Sequence, residues 1–222
     1  MSQFEQLMGA SRPYLTDGGM ETWLFFQQGF EAPEFAAIVL LDDERAREAL
    51  RRYFAGFLEL AQTQNTGFVL DTDTWRGCLE WAPKLGVSKD KLLELNAEAV
   101  KFAKSIREEW ADRVSPILVN GVVGPAGDGY RPGALPSATE AEAIHTPQIR
   151  VFAEEGVDMI SAITMTNIGE ATGIARAAKA AGLPVVISFT VETDGRLPTG
   201  DKLGEAIQAV DAATEGAPAY YM

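Results

Sequence analysis

Short runs of consecutive apolar residues recur along the chain, and each run is followed by polar residues or glycines. Runs that are apolar at successive positions are typical of strands buried on both faces, as in a parallel sheet. Longer segments with apolar residues at spacings of three and four lie between these runs, which is the pattern of amphipathic helices. The pattern predicts strands that begin near residues 14, 68, 117, 159, 185 and 219.

The segments between the strands predict five helices, and two of these have recognisable first turns. Thr146 before Pro147 is typical of an N-cap followed by proline at the first helical position. Asn167, with Glu170 three residues later, has the spacing of a capping box. We predict helices over residues 46–61, 92–106, 146–155, 167–181 and about 201–214.

Strands that alternate with helices predict right-handed crossovers and a parallel sheet, in one of two architectures. A doubly wound nucleotide-binding sheet would carry a G-x-G-x-x-G fingerprint after its first strand, where this sequence has none. A (β/α)8 TIM barrel places its site at the carboxyl ends of all its strands. Polar residues after five successive strands favour the barrel over the open sheet: Asp17, Thr72, Asn120, Thr164 and Thr190.

The length of 222 residues predicts only part of such a barrel. The predicted strand starts are about 41 residues apart, so eight strand–helix units need on the order of a hundred more residues. We therefore expect an incomplete α/β fold of the (β/α)8 TIM-barrel type, with five βα units and a sixth strand in one domain over residues 1–222. Its open barrel edges predict self-association, because unpaired strand edges invite pairing with another chain.

Composition and charge narrow the classes of function. With 46% hydrophobic residues the chain can bury a core, and its formal charge of −13 argues against nucleic-acid and anionic-lipid partners. The sequence does not open on a signal peptide, and its most uniformly apolar stretch, residues 36–41, is too short to cross a membrane. We expect a cytoplasmic protein. One cysteine, Cys78, excludes an intrachain disulfide and a zinc site built from several thiolates.

A succession of short motifs, in order along the chain, carries a resemblance to a known family. The motifs are DGGMET at 17–22, DTDTWR at 71–76, GVVGP at 121–125, HTPQ at 145–148, GVD at 156–158, VISFT at 186–190 and DGRL at 194–197. The chain resembles the homocysteine S-methyltransferase family over residues 14–222. This family consists of barrel enzymes and includes betaine- and S-methylmethionine-dependent members.

The resemblance implies transfer of a methyl group from a sulfonium or ammonium donor to an amino-acid thiol such as homocysteine, in methionine biosynthesis. The family uses zinc to hold the thiol as thiolate, which is the nucleophilic form. Cysteines at the ends of the sixth and eighth strands bind that zinc, and Cys78 matches none of these positions. The zinc ligands of the family are therefore not present in this chain, and we expect the chain alone to be inactive or nearly so.

Two other interpretations remain open at the level of the sequence. The chain could be a truncated, non-catalytic barrel fragment that acts as a binding or assembly protein. It could also be a barrel enzyme of another kind, with metal-free chemistry in which Asp17 or Asp71 acts as the acid–base group.

The strand ends and the resemblance together predict a substrate site, without assigning any catalytic or metal-ligating residue. Backbone N–H groups of residues 18–20 could bind a carboxylate, and the resemblance places the amino-acid moiety of homocysteine at Asp17 and Gly18. Thr72 and Thr74 are expected to point into the barrel mouth, with Asp71 and Asp73 on the other face. Gly121 and Gly124 are expected to let backbone approach the ligand. The predicted substrate-binding residues are Asp17, Gly18, Gly19, Met20, Thr72, Thr74, Asn120, Gly124 and Thr164.

One position departs from the family pattern. Many members carry Glu-Thr after the fourth strand, where the glutamate binds the substrate ammonium, and this chain has Ile163 before Thr164. Isoleucine cannot accept a charge-assisted hydrogen bond from an ammonium group. Either the methyl acceptor is therefore a compound other than homocysteine, or another carboxylate, Glu170 or Glu192, takes the place of the missing glutamate.

Aromatic and histidine side chains give weaker signals. Trp23, Trp75 and Trp81 could line a cavity for a methylated cation, or pack in the core. His145, before the predicted helix start, is expected to be structural, with a hydrogen bond at the helix end.

Overall fold

Six parallel strands form one curled sheet in which each strand pairs with the next along the chain. The structure, a computed structural model, describes residues 1–130, 133 and 135–222. Within them β1 and β6 do not pair, so each forms an edge of the sheet. The strands are β1 (Leu15–Thr16), β2 (Phe68–Asp71), β3 (Ile117–Val123), β4 (Met159–Met165), β5 (Val185–Phe189) and β6 (Pro218–Tyr221).

Helices connect successive strands, and a further short helix precedes β1. They are α1 (Gln3–Met8), α2 (Met20–Phe26), α3 (Glu44–Gln64), α4 (Ala82–Leu85), α5 (Lys89–Trp110), α6 (Ala138–Glu155), α7 (Ile168–Ala180) and α8 (Leu203–Thr214). Short 3₁₀ segments cover Pro33–Phe35, Ala37–Asp42 and Leu79–Trp81. No helix in the described part of the chain combines the length and apolar character that crossing a membrane requires.

Both faces of the sheet are buried, which explains the nearly continuous apolar runs of the sequence. All seven residues of β3 are buried. One face of the sheet joins the large core formed with the connecting helices. On the other face, Leu118, Met159 and Val186 form a small cluster against Phe4 and Leu7 of α1. The helix before β1, which the sequence pattern did not predict, therefore covers apolar residues inside the curl of the sheet.

The expected fold class is confirmed: the sheet is of the TIM-barrel type, with five βα units and a sixth strand. The predicted strand starts agree with the structure to within a residue. The helices predicted near residues 46–61, 92–106 and 201–214 correspond to α3, α5 and α8.

The predicted start of the third crossover helix is wrong. Thr146 is not an N-cap, because α6 begins at Ala138 and contains Pro147 in its interior. The first turn is fixed by Ser137 and Glu140, which form a capping box: Ser137 N–H donates to Glu140 Oε2 at 2.9 Å, and Glu140 N–H donates to Ser137 Oγ at 3.3 Å. The helix α6 packs closely against α7, since a Cβ at Gly173 of α7 would lie 2.5 Å from the Cβ of Ala141 of α6.

Candidate functional site

A cavity of about 520 Å³ opens at the carboxyl ends of β1 to β4. Residues from the strand ends form its floor and walls, and residues from the connecting loops form its rim. The predicted residue Thr190 is not among its lining residues and donates its N–H to Met165 O. The lining residues are Asp17, Gly19, Met20, Glu21, Thr22, Phe35, Asp71, Thr72, Trp75, Arg76, Val122, Tyr130, Ile163 and Thr164.

The segment after β1 contributes Asp17 to this cavity, held in place by Tyr53 of α3. The Tyr53 hydroxyl donates to Asp17 Oδ2 at 2.9 Å and accepts from Gly18 N–H at 3.1 Å. Gly18 N–H is thus engaged, and Gly18 lines a second cavity of about 600 Å³ between α2 and α3. Gly19 adopts a left-handed conformation, φ +73°, which glycine tolerates, and Met20 begins α2. Of the predicted quartet, Asp17, Gly19 and Met20 line the main cavity.

The expected alternation after β2 is wrong, because the strand ends at Asp71 and the period of two stops there. Asp71 and Thr72 both line the cavity, whereas Thr74 does not. The two threonine hydroxyls bond each other at 2.7 Å. Thr74 Oγ1 donates to Val122 O at 2.7 Å, and Val122 N–H donates to Thr72 Oγ1 at 3.0 Å. These buried hydroxyls tie the end of β2 to β3 and are already engaged in hydrogen bonds.

Asp71 and Asn120 are register partners on β2 and β3. Asn120, which is buried and does not line the cavity, donates its Nδ2 to Asp71 Oδ1 at 2.7 Å. Burial, and after it the charge of Asp17, raises the pKa of Asp71 to about 8. Burial likewise raises the pKa values of Asp17 and Glu21 from their ordinary values. One wall of the cavity is therefore a group of carboxyl groups that hold protons more tightly than in water.

Gly121 and Gly124 were predicted to let backbone approach the ligand, and in the structure both glycines make room for other residues of the protein itself. A Cβ at Gly121 would lie 2.6 Å from the ring of Phe152, and one at Gly124 would lie 2.2 Å from the carbonyl oxygen of Trp75. Neither glycine lines the cavity. Gly124 affects the cavity indirectly, because its lack of a side chain allows Trp75 to lie in the cavity wall.

Thr164 lines the cavity beside Ile163, at the end of β4. Its φ of +61° is unusual for a β-branched residue and marks local backbone strain. The hydroxyl accepts a hydrogen bond from Trp75 Nε1 at 3.0 Å and donates one to Ile163 O at 2.6 Å. The ends of β2 and β4 are thus joined across the cavity, and Ile163 presents an apolar side chain there.

Arg76 is the only basic residue among the described residues of the cavity wall. Its guanidinium lies over the rings of Trp75 and Trp81, at 4.5 and 4.0 Å from their centroids. Trp81 is itself buried, with its Nε1 donating to Pro125 O at 2.9 Å. Trp23 packs on Tyr53 beside the second cavity. Of the three tryptophans proposed to surround a methylated cation, only Trp75 lines the main cavity.

The two carboxylates suggested as substitutes at the Ile163 position do not line the cavity. Glu170 is buried, and its Oε1 accepts from Ala126 N–H at 2.7 Å and pairs with His145 Nε2 at 3.0 Å. Its backbone N–H donates to the Asn167 side chain at 2.8 Å, so Asn167 caps α7 as predicted. The Glu170 side chain, however, bridges α6 and α7. His145 is structural as expected, but in mid-helix, and Glu192 is exposed after β5.

The described residues do not fit a zinc site. They contain no group of three or more histidine, cysteine, aspartate and glutamate side chains arranged to hold a metal ion. Cys78 lies outside the cavity wall, and burial raises the pKa of its thiol to about 12, which disfavours the thiolate that binds metals.

Several lining residues were not among the predicted substrate-binding residues. Asp71, the last residue of β2, and Arg76, five residues after it, lie within a motif singled out from the sequence, and that motif was the available signal. Phe35 ends the 3₁₀ segment Pro33–Phe35, and Tyr130 lies in the loop between β3 and α6; no spacing in the sequence places either residue at the cavity.

Three solved structures of the homocysteine methyltransferase MmuM from Escherichia coli are similar to the chain. The metallated form has 20% identity, a TM-score of 0.77 and coverage of 96% of this chain and 75% of that one. The oxidized form has 21% identity, a TM-score of 0.79 and coverage of 97% and 75%. The apo form has 20% identity, a TM-score of 0.71 and coverage of 99% and 75%.

At these identities the similarity to MmuM demonstrates the fold. No curated protein sequence matches the chain. The family model described as homocysteine S-methyltransferase matches residues 14–221, which is nearly the whole chain. The chain therefore belongs to the homocysteine S-methyltransferase family.

Proposed function

We propose that the cavity at the strand ends binds an amino-acid thiol such as homocysteine as the acceptor of a methyl group. The donor would be a sulfonium or methylated ammonium compound. Family membership supports the reaction class. The observation that carries the proposal to this cavity is its position, because barrel enzymes build their sites at the carboxyl ends of their strands.

The lining of the cavity suits two ligands of this kind. Carboxyl groups of Asp17 and Asp71 can bind a cationic group, and the Arg76 guanidinium on the same cavity wall can bind a carboxylate. The aromatic side chains of Trp75 and Tyr130 offer ring faces, to which a methylated cation is attracted. The cavity volume of about 520 Å³ is within the range of small-molecule sites.

Activation of the thiol is the step that the described residues do not supply. A thiol with a pKa near 8.5 is mostly protonated at neutral pH, and only its thiolate attacks a methyl group efficiently. With one cysteine and one histidine, the 222 residues lack the three-cysteine set that the family uses for zinc. We therefore expect these residues to bind the acceptor without robust turnover.

Mass spectrometry of methionine formed from L-homocysteine tests this proposal, with S-methylmethionine or glycine betaine as donor, with and without added zinc. We expect homocysteine binding and only slow methionine formation in every arm. Robust zinc-dependent turnover would contradict the expectation about zinc, and absence of homocysteine binding would contradict the acceptor. Asp17→Asn should weaken homocysteine binding, whereas the same substitution at the exposed Asp112 should leave it unchanged.

A further inference from the structure

The second cavity, between α2 and α3, has a volume of about 600 Å³, which is within the range of small-molecule sites. It adjoins the main cavity, because Gly19 and Thr22 line both. The methyl transfer proposed for the main cavity makes no use of it. Its lining has three properties that together indicate a ligand: an aromatic wall, a positive charge and glycines that the fold itself does not require.

Three aromatic side chains form one wall of the second cavity. The ring of Tyr53 lies 5.1 Å from that of Trp23 and 5.1 Å from that of Phe57, measured between centroids. Tyr53 is buried, and its hydroxyl is fixed by hydrogen bonds with Asp17 and Gly18 at 2.9 and 3.1 Å. The protein therefore holds this wall in place, and a preorganised wall lowers the cost of binding an aromatic ring against it.

The charge of the second cavity is opposite to that of the chain as a whole. The chain has a formal charge of −13, yet the described residues that line this cavity include one arginine, Arg52, and no aspartate or glutamate. Arg52 is exposed and forms no ion pair with any other described residue. Thr22 and Gln27 add a hydroxyl and an amide, which can also donate hydrogen bonds. This lining favours an anionic group.

Two exposed glycines of the lining have no structural reason within the described chain. Gly56 lies in the interior of α3, where glycine is less favourable than alanine, and a Cβ there would meet nothing within 4 Å. Gly18 has no positive φ, and a Cβ there would also meet nothing within 4 Å. Glycine at such positions lets another molecule come close to the backbone.

We propose that the second cavity binds a small aromatic anion, of which an arylacetate is the simplest form. Its ring lies against the wall formed by Trp23, Tyr53 and Phe57, and its carboxylate accepts hydrogen bonds from Arg52. A guanidinium group can bind a carboxylate through two parallel N–H bonds, and aromatic rings gain from contact with one another beyond the area they bury. This site goes beyond the proposed function and does not depend on it.

NMR titration of the ¹⁵N-labelled chain tests this site through the indole N–H signal of Trp23, which Trp23→Phe identifies among the four tryptophans. The probes are phenylacetate, phenylacetamide (without the charge) and cyclohexylacetate (without the aromatic ring). Phenylacetate should shift the Trp23 signal saturably and leave that of Trp75, in the main cavity, unchanged. Phenylacetamide should bind about fivefold more weakly, the strength of an exposed ion pair, and cyclohexylacetate about threefold or more.

Two variants separate the charge of the site from its space. Arg52→Gln should weaken phenylacetate binding by about fivefold and leave phenylacetamide binding unchanged, whereas Arg150→Gln, at an exposed residue of α6, should change neither. Gly56→Leu should fill the cavity and abolish binding of every probe. Its midpoint of urea unfolding should not fall, since leucine favours a helix more than glycine does. The matched control is Gly204→Leu in α8, where a Cβ likewise meets nothing within 4 Å, and it should bind as the wild-type protein does.

Three results would overturn the proposed ligand site: no shift of the Trp23 signal with any probe, equal affinity for phenylacetate and phenylacetamide, or undiminished binding by Gly56→Leu. Equal affinity for phenylacetate and cyclohexylacetate would refute the aromatic class of the ligand. A second copy of the chain is the other candidate to cover this surface. If no probe binds and light scattering shows a dimer that Gly56→Leu converts to a monomer, the surface is an interface between copies and the ligand site is refuted.

Discussion

Substitution of Gly124 by alanine is a sharp test of how the cavity wall is built. A Cβ at this position would lie 2.2 Å from the carbonyl oxygen of Trp75, and 2.5 and 2.7 Å from Cδ1 and Nε1 of its ring. The nearest of these atoms belongs to the backbone, so no side-chain rotation can relieve the contact. The segment that carries Trp75 would have to move away from β3. This movement would disrupt the hydrogen bond from Trp75 Nε1 to Thr164.

Overpacking of a well-packed site costs about 1–3 kcal/mol. Since a backbone atom is involved and a hydrogen bond worth about 1 kcal/mol is put at risk, we expect a loss near the upper end, about 3 kcal/mol. With an m-value of about 2 kcal/mol per molar urea, this loss lowers the unfolding midpoint by about 1.5 M.

Urea unfolding followed by tryptophan fluorescence gives the midpoint. Gly127→Ala, three residues further along the same loop, is the matched control, because a Cβ there meets nothing within 4 Å. We expect Gly127→Ala to stay within about 0.5 kcal/mol of the wild-type protein, as surface substitutions do. If Gly124→Ala shifts the midpoint no more than Gly127→Ala does, the close approach of Trp75 to β3 is refuted.

Three further results are expected. Burial raises the pKa of Asp73 to about 7, so the folded state keeps a proton that the unfolded chain loses above about pH 4. The protein therefore loses stability through this group as the pH rises from about 4 to 7. Because asparagine resembles the protonated aspartate, Asp73→Asn should raise Tm more at pH 8 than at pH 5. Glu170→Ala should cost about 3 kcal/mol in urea unfolding, because it leaves the N–H of Ala126 and a buried imidazole without their acceptor, whereas Glu154→Ala on the surface should cost less than about 0.5 kcal/mol. The unpaired edges at β1 and β6 predict self-association, and a monodisperse monomer in light scattering would contradict this.

The strands and most helices could be predicted from the sequence because the patterns that indicate them involve residues close together in the chain. The buried runs at β3, β4 and β5 are apolar on both faces, and Asn167 caps the following helix through a contact three residues away. The start of α6 was missed for a related reason. The pair Thr146–Pro147 is typical of a helix start, and the competing capping box at Ser137 fixed the first turn earlier.

The candidate site was harder to predict from the sequence, because it depends on contacts between segments that are distant in the chain. Thr74 has its hydroxyl on the carbonyl of Val122, 48 residues away, so whether it faces a ligand or a neighbouring strand is decided by strand pairing. The role of Gly124 depends on Trp75 in the same way. Asp71 was assigned to the wrong face because strand alternation was continued past the residue where β2 ends.

The most direct test of the central claim is calorimetric titration of the 222-residue chain with L-homocysteine, without metal or donor. Binding at the strand-end cavity predicts one site per chain. It also predicts affinity that falls by about tenfold or more in Asp17→Asn and is unchanged in Asp112→Asn. No binding, or equal affinity in all three proteins, would contradict the assignment of this cavity as the acceptor site.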